Sequence, residues 1–323
     1  MQYIDVNLPN IIEARDTHYQ FMKYIIKKKL NGPGYKDIAP LTGMNKIKQI
    51  GNIRSLNPEV IAFLNDEINL KNVLIGLPDV LDTIKLHFTD PAQIETIKKI
   101  LNYDSWIVSN KKNSTYREYN AYHLAEKLDI PTCVYCNRMY TKTVIKNNKK
   151  KITRPTFDHW FTKSKYPLLA LSFYNLIPSC SVCNSSVKGS VIFTLDRFFH
   201  PYYKHPQNDL KYAFSYDHIN YNKFSFKINT NSGDEFSKRS VEAFELESIY
   251  KAHQDEIEDL RHIKDAYSES YIEMLESKVL KLPLDRKDVY RLAFGVHYDE
   301  SKFDRRPLSK MKRDILTELG IKV

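Results

Sequence analysis

The chain of 323 residues is long enough for one large domain or two to three smaller ones around a real hydrophobic core. With 42% apolar and 27% charged residues it has the balance of a folded protein, which excludes wholesale disorder. The first residues, Met1-Gln-Tyr-Ile-Asp-Val, lack the basic and apolar regions of a secretory signal, and no apolar stretch nears the ~18–20 residues needed to span a bilayer. A cytoplasmic protein without a membrane partner is the expectation. The net charge of +10 is concentrated: Cys133 to Ser190 holds ten Lys/Arg against one acid, Asp158, leaving 39 basic and 38 acidic residues elsewhere. A basic stretch interleaved with Tyr, Phe and Trp suits a polyanion such as nucleic acid.

Residues 1–128 read as a helical N-terminal region. Pro91 to Tyr103 carries Ile94, Ile97, Ile100 and Leu101 at helical spacing, with Asp90 placed as its N-cap. Thr115 to Leu128 repeats the pattern through Tyr119, Tyr122, Leu124 and Leu128, and Asn31-Gly-Pro-Gly-Tyr35 reads as a turn. His18, His87 and His123 are isolated, which fits packing or surface histidines better than ligands. No catalytic constellation stands out here.

Residues 129–205 hold all four cysteines of the chain, Cys133, Cys136, Cys180 and Cys183, as two C-x-x-C pairs. In a reducing compartment such pairs are not read as disulfides. Four thiolates in two knuckles supply the tetrahedral set of a structural zinc site. Met139–Ile145 and Lys151–Phe157 read as a β-hairpin whose polar tip is Lys146–Lys150; the ordinary reading of Lys149–Lys151 is that they merely solvate this tip, which does not explain the charge of the whole segment. A helix is expected to open near Ser181. Between the knuckles lie Asp158-His159 and Asn175, with Asn184 directly after Cys183. Phosphodiester hydrolysis needs a base to activate water and a source of positive charge on the phosphate. Neighbours on a strand point to opposite faces, so Asp158 and His159 can share a task only where the strand ends.

Residues 206–323 begin with a second hairpin, Tyr212–Tyr216 and Phe224–Ile228, and continue as a long helical stretch over 241–275. Leu246, Tyr250, His253, Ile257, Leu260, Ile263, Tyr267 and Tyr271 form an a/d-like seam along it. That seam packs on its own protein or serves a homodimer. Further helical turns are expected around Arg305–Arg313.

The segment Asp158-His159-Trp-Phe-Thr-Lys-Ser-Lys-Tyr-Pro, followed by Tyr174-Asn-Leu-Ile-Pro-Ser-Cys and Cys183-Asn-Ser-Ser-Val-Lys-Gly, resembles the HNH (ββα-metal) endonuclease family in an H-N-N variant framed by C-x-x-C pairs. The resemblance covers roughly residues 130–205. It implies an α+β protein, mostly helical, with a central zinc-stapled ββα-metal core. It implies His159 as general base, Asp158 and Asn184 as ligands of a catalytic Mg²⁺ or Mn²⁺, and Asn175 as the residue that pins the loop and orients the base. The wording is similar to bacterial anti-phage defence nucleases of the Septu and retron-linked type, which implies an effector acting with an ATPase or another defence-system subunit, on DNA rather than RNA.

Lys163, Lys165, Lys188, Arg154 and His200 are the candidate nucleic-acid contacts, each with an ordinary reading beside it: a solvated cation, or a packed histidine. Asn184 could simply cap a helix. The competing functional class is a non-catalytic zinc-ribbon module that binds nucleic acid or a partner subunit, for which no Asp-His pair is needed.

Overall fold

A computed structural model of the chain describes residues 1–108, 115–147, 150–189, 191–220, 223–266, 274 and 285–321. The architecture is α+β: among the described residues most lie in helices, and three separate two-stranded antiparallel sheets are formed. Helix α1 (Pro9–Asn31) is the central strut of the N-terminal part, burying Ile11, Ala14, Met22, Ile25 and Ile26. Around it stand α2 (Pro58–Asn65), α3 (Glu67–Ile75), α4 (Pro78–Ile84), α5 (Pro91–Leu101), α6 (Tyr103–Val108) and α7 (Ala121–Leu128).

Local chemistry sets the helix ends. The Asp90 carboxylate accepts from the amides of Ala92 and Gln93, so α5 starts where the sequence places its cap. A cap of this kind contributes about 1 kcal/mol. The helix expected from Thr115 starts only at Ala121, because Asn120 is extended and its side chain turns back to accept from the Tyr122 amide. His123 closes that capping box by accepting from the Asn120 amide. Asn31–Tyr35 contains a 3₁₀ turn at Gly32–Gly34, where Gly32 has φ +54°.

Strands β1 (Val144–Ile145) and β2 (Lys151–Thr153) form the first hairpin, shorter than the sequence suggests. The run Lys151–Phe157 divides: Phe157 belongs to β3 (Thr156–His159), which pairs with β4 (Leu176–Ser179) rather than with β1. Tip residues 148–149 lie outside the described residues. Strands β5 (Tyr212–Asn220) and β6 (Lys223–Thr230) form the longest hairpin and extend the second one expected.

A continuous helix over 241–275 is not formed. Helix α8 (Glu235–Glu242) ends before Glu245, which has φ +46°, and α9 (Leu246–Tyr250) passes through a 3₁₀ turn into α10 (Gln254–Ala266). The seam is spent inside the protein: Leu246, Tyr250, Ile257 and Leu260 are each at most 1% exposed. Tyr250, Ile257 and Leu260 join Phe214 and Phe226 of the hairpin and Met311, Ile315 and Leu316 of the helix Ser309–Glu318 in one apolar cluster. The buried part of the seam therefore offers nothing to a homodimer; Tyr267 and Tyr271 lie outside the described residues. In the tail, a 3₁₀ turn (Glu300–Arg305) and the helix Ser309–Glu318 are separated by Leu308 at φ +63°.

The N-terminal helices and the cysteine-bearing segment share a single apolar core that runs from Met1 to Leu246. This shared core braces the loop between β3 and β4. His18 on α1 donates from Nε2 to the Leu171 carbonyl at 2.8 Å and accepts from the Tyr119 hydroxyl at Nδ1, 3.1 Å. The Ser172 hydroxyl donates to the Val73 carbonyl of α3.

Candidate metal centre and active site

The two knuckles meet. The four sulfurs of Cys133, Cys136, Cys180 and Cys183 lie within 4.8 Å of one another, and all four residues are buried. Cys136 and Cys180 stand 4.0 Å apart at sulfur, twice a disulfide bond length and close to the ~3.8 Å edge of a tetrahedron with Zn–S bonds of ~2.3 Å. Backbone amides point at two sulfurs, Arg138 N–H at Cys136 and Cys183 N–H at Cys180, both at 3.4 Å. Such bonds stabilise thiolates, and a buried cluster of thiolates needs a cation. The residues fit a structural zinc ion.

Between the knuckles, β3 ends where the sequence requires. His159 is its last residue, paired with Leu176, and Asp158 pairs with Ile177. The two side chains diverge. His159 goes towards Tyr103, whose ring meets it edge-on with centroids 4.5 Å apart, and towards the Ala170 carbonyl, 2.9 Å from Nε2. A carbonyl only accepts, so Nε2 carries the hydrogen and Nδ1 keeps its lone pair. Burial lowers the His159 pKa to about 4, with the Ala170 bond and Asp158 opposing. The ring is neutral near pH 7.

Asn175 is fully buried at the end of a 3₁₀ turn (Phe173–Asn175) that leads directly into β4. Its Oδ1 accepts from the Phe161 amide at 2.6 Å, and its Nδ2 donates to the carbonyls of Phe161 (3.1 Å) and Leu169 (2.9 Å). One side chain thus ties both ends of the 161–169 loop. Leu169 precedes the Ala170 carbonyl that bonds His159, so Asn175 steadies the His159 ring through the loop.

Asp158 is 4% exposed and is fully engaged. Oδ2 accepts from the Tyr135 hydroxyl at 2.6 Å and from Lys188 Nζ at 2.8 Å; Oδ1 accepts from Lys188 at 3.0 Å. Lys188 gives a further bond, 2.6 Å, to the His159 carbonyl. Its ammonium, 4% exposed at the side chain, also lies 4.8 Å from the centroid of Phe193. The segment after the second knuckle explains this reach. It forms a π-helix, Val182–Val187, with Lys188 N–H bonded to the Cys183 carbonyl five residues back, and Gly189 at φ +54° ends it. The wider turn brings Lys188 under β3. Asn184 sits within it, half-buried, its amide bonded to the Cys180 carbonyl. The helix expected from Ser181 is therefore a single wide turn.

The remaining candidates disperse. Lys188 points inward to Asp158 rather than outward as a phosphate contact. His200 is fully buried, packed on Trp160 with centroids 4.5 Å apart, and burial lowers its pKa to about 3, which removes it as a surface phosphate donor. Lys163 pairs with Asp104 at 2.8 Å and lies over Tyr103. Arg154 is half-buried over Tyr122 and donates to the carbonyls of Pro155 and Ile107. Lys165 is exposed beside the Tyr166 ring.

Three participants escape the sequence reading: Tyr135, Tyr103 and the Ala170 carbonyl. Tyr135 carried a signal, since it lies inside the first knuckle, Cys133-Val-Tyr-Cys136. The other two depend on tertiary contact.

A divalent ion at Asp158 and Asn184 does not fit this arrangement, because both carboxylate oxygens already carry a buried cation. A hard ion such as Mg²⁺ needs free oxygen ligands. No family model, curated protein or solved structure matches the chain.

Proposed function

We propose that the chain is an HNH-type endonuclease that hydrolyses phosphodiester bonds, with DNA as the favoured substrate and His159 as general base. The observation that carries this reading is the Ala170–His159–Asn175 arrangement. It leaves a neutral imidazole with Nδ1 as its basic atom, at the end of β3 and against a loop that Asn175 holds from inside. His159 accepts the proton of the attacking water at Nδ1, while the Nε2 bond to Ala170 keeps the ring from rotating. Tyr103 closes one side of the ring. Lys165, exposed close to the base in sequence, offers charge to the nucleic-acid backbone.

The four cysteines hold structural zinc, which fixes the strand and the wide turn on either side of the site. The zinc-ribbon alternative gives no reason for a buried asparagine to orient a histidine. On the resemblance alone, the protein acts as a defence effector beside an ATPase, and co-purification with the products of neighbouring genes tests that.

The deciding experiment is plasmid cleavage by wild type and His159→Ala with added Mg²⁺ or Mn²⁺, with zinc content and circular dichroism as controls for folding. Cleavage by wild type and a loss of about 10²-fold or more in a folded variant is expected, the usual scale for a general base. Equal cleavage by a folded His159→Ala protein removes the assignment.

A further inference from the structure

His159 is anchored at two points, and only one of them is on its ring. The ring is bonded at Nε2 to the Ala170 carbonyl, beside the loop that Asn175 ties. The backbone has an anchor of its own, because the His159 carbonyl accepts from Lys188 Nζ at 2.6 Å.

That second anchor is itself held in place. Both oxygens of Asp158 bond the Lys188 ammonium, at 2.8 and 3.0 Å, and the Phe193 ring lies 4.8 Å from it. The Tyr135 hydroxyl holds Asp158 Oδ2 at 2.6 Å, and the Tyr135 ring stacks on Phe244 with centroids 4.0 Å apart. Phe193 and Phe244 meet in turn at 5.6 Å. The ion pair therefore sits between aromatic walls, its side chains only 4% and 5% exposed. A buried pair of this kind gains little over two apolar side chains packed in the same volume. Apolar side chains, however, would give the His159 carbonyl no donor. The two groups that bond Asp158 also come from the two cysteine knuckles. Tyr135 lies inside the first, and Lys188 follows the wide turn that carries the second.

We propose that Asp158 and Lys188 are positioning residues for His159: the carboxylate aims the ammonium, and the ammonium fixes the backbone from which the ring reaches Ala170. The effect on rate rests on the nuclease reading given above; the effect on the ring does not. Asp158 is thereby assigned to a lysine, in place of the metal ligation that the resemblance implies for it. Both side chains are enclosed and out of reach of substrate. The network accordingly sets how well His159 is aimed, and leaves the affinity for DNA unchanged.

The test uses the zinc-loaded full chain. The double variant Asp158→Asn/Lys188→Met removes both charges together, so no buried charge is left unpaired. Tyr135→Phe removes one hydroxyl and no charge, and serves as the milder perturbation. Circular dichroism and zinc content establish that each is folded. The first readout is the ring tautomer of His159, from long-range ¹H–¹⁵N spectra, with its signal assigned by its loss in His159→Ala. Wild type is expected to show one form, protonated at Nε2. The double variant should show a mixture of both tautomers, and Tyr135→Phe a smaller admixture. The second readout is cleavage. In the double variant kcat should fall by up to about 10²-fold, the scale of a misplaced reacting group, with KM for DNA and the Mg²⁺ dependence of the rate as in wild type. A single Nε2-protonated ring in the folded variants overturns the proposal. So does a Mg²⁺ requirement that rises in the double variant, which would return Asp158 to the metal. Failure of the nuclease reading looks different: cleavage is unchanged in His159→Ala, while the tautomer still responds to Asp158 and Lys188.

Discussion

Replacing Asn175 by Ala removes one donor pair and one acceptor from a place water does not reach. The Phe161 amide, the Phe161 carbonyl and the Leu169 carbonyl each lose a partner at 2.6–3.1 Å. A buried polar group left without a partner costs about 1–3 kcal/mol, so three such groups sum to roughly 3–9 kcal/mol, and local relaxation keeps the loss near the lower end. Typical domains are stable by about 5–15 kcal/mol, so the variant is expected to fold with a clearly reduced midpoint in urea. Its activity should fall further than its stability implies. The Ala170 carbonyl follows Leu169, and its displacement frees the His159 ring to rotate away from the attack geometry. Urea unfolding followed by fluorescence, paired with cleavage rates at low temperature where the variant stays folded, separates the two effects. The expected pattern is a lowered kcat with KM little changed, because no substrate contact is removed. A variant with wild-type stability and wild-type kcat refutes the view that Asn175 holds the base.

Three further outcomes are expected. Purified protein should carry one zinc per chain by elemental analysis, and Cys183→Ser should lower that content and sharply increase proteolysis, whereas zinc-free wild type of equal stability would show that the cysteines hold nothing. His18 is buried neutral, with burial lowering its pKa to about 4 against about 6.5 in the unfolded chain, so its contribution is complete above pH 6.5 and is lost as pH falls towards 4. About 2.5 units correspond to roughly 3 kcal/mol, and His18→Gln should show a shallower loss of stability than wild type between pH 6.5 and 4 in urea titrations; parallel curves would refute this. Lys165→Ala should weaken DNA binding for all sequences alike and reduce the salt dependence by about one ion, while Lys163→Ala should do less because Asp104 already holds that charge. The reverse order would place the backbone path on the Tyr103 side.

Features fixed by short-range chemistry were legible in the sequence. Asp90 caps α5 because a carboxylate before proline has nearby amides to accept from, and the two C-x-x-C pairs converge because their spacing suits one metal. Asn175 stood out through its motif, and its three bonds run to Phe161 and Leu169. What stayed hidden depends on tertiary contact. The periodicity of 241–275 was real, yet Glu245 in a left-handed conformation breaks it, because each part of the seam meets a different surface. Lys188 looked like a surface cation since nothing local reveals that a π-turn will carry it inward. Phe157 looked like one end of a β1–β2 hairpin, but its pairing with Pro178 is a contact between residues 21 positions apart.

The first knuckle is also held from far along the chain. Asn137, with φ +52°, donates to the carbonyls of Phe303 and Arg306, and its own carbonyl accepts from the Leu308 amide at 2.7 Å. The Tyr250 hydroxyl bonds the Cys136 carbonyl, and Arg138 donates to His253. Closing loops of more than 160 residues is entropically late. During synthesis, the knuckle therefore waits for segments made last, and the site between the knuckles stays unfinished until most of the chain has been translated. A chain ending before residue 300 would keep the bonds from Tyr250 and His253 but lack those that Phe303, Arg306 and Leu308 make to Asn137. The order of translation thereby sets when the first cysteine pair gains its last supports.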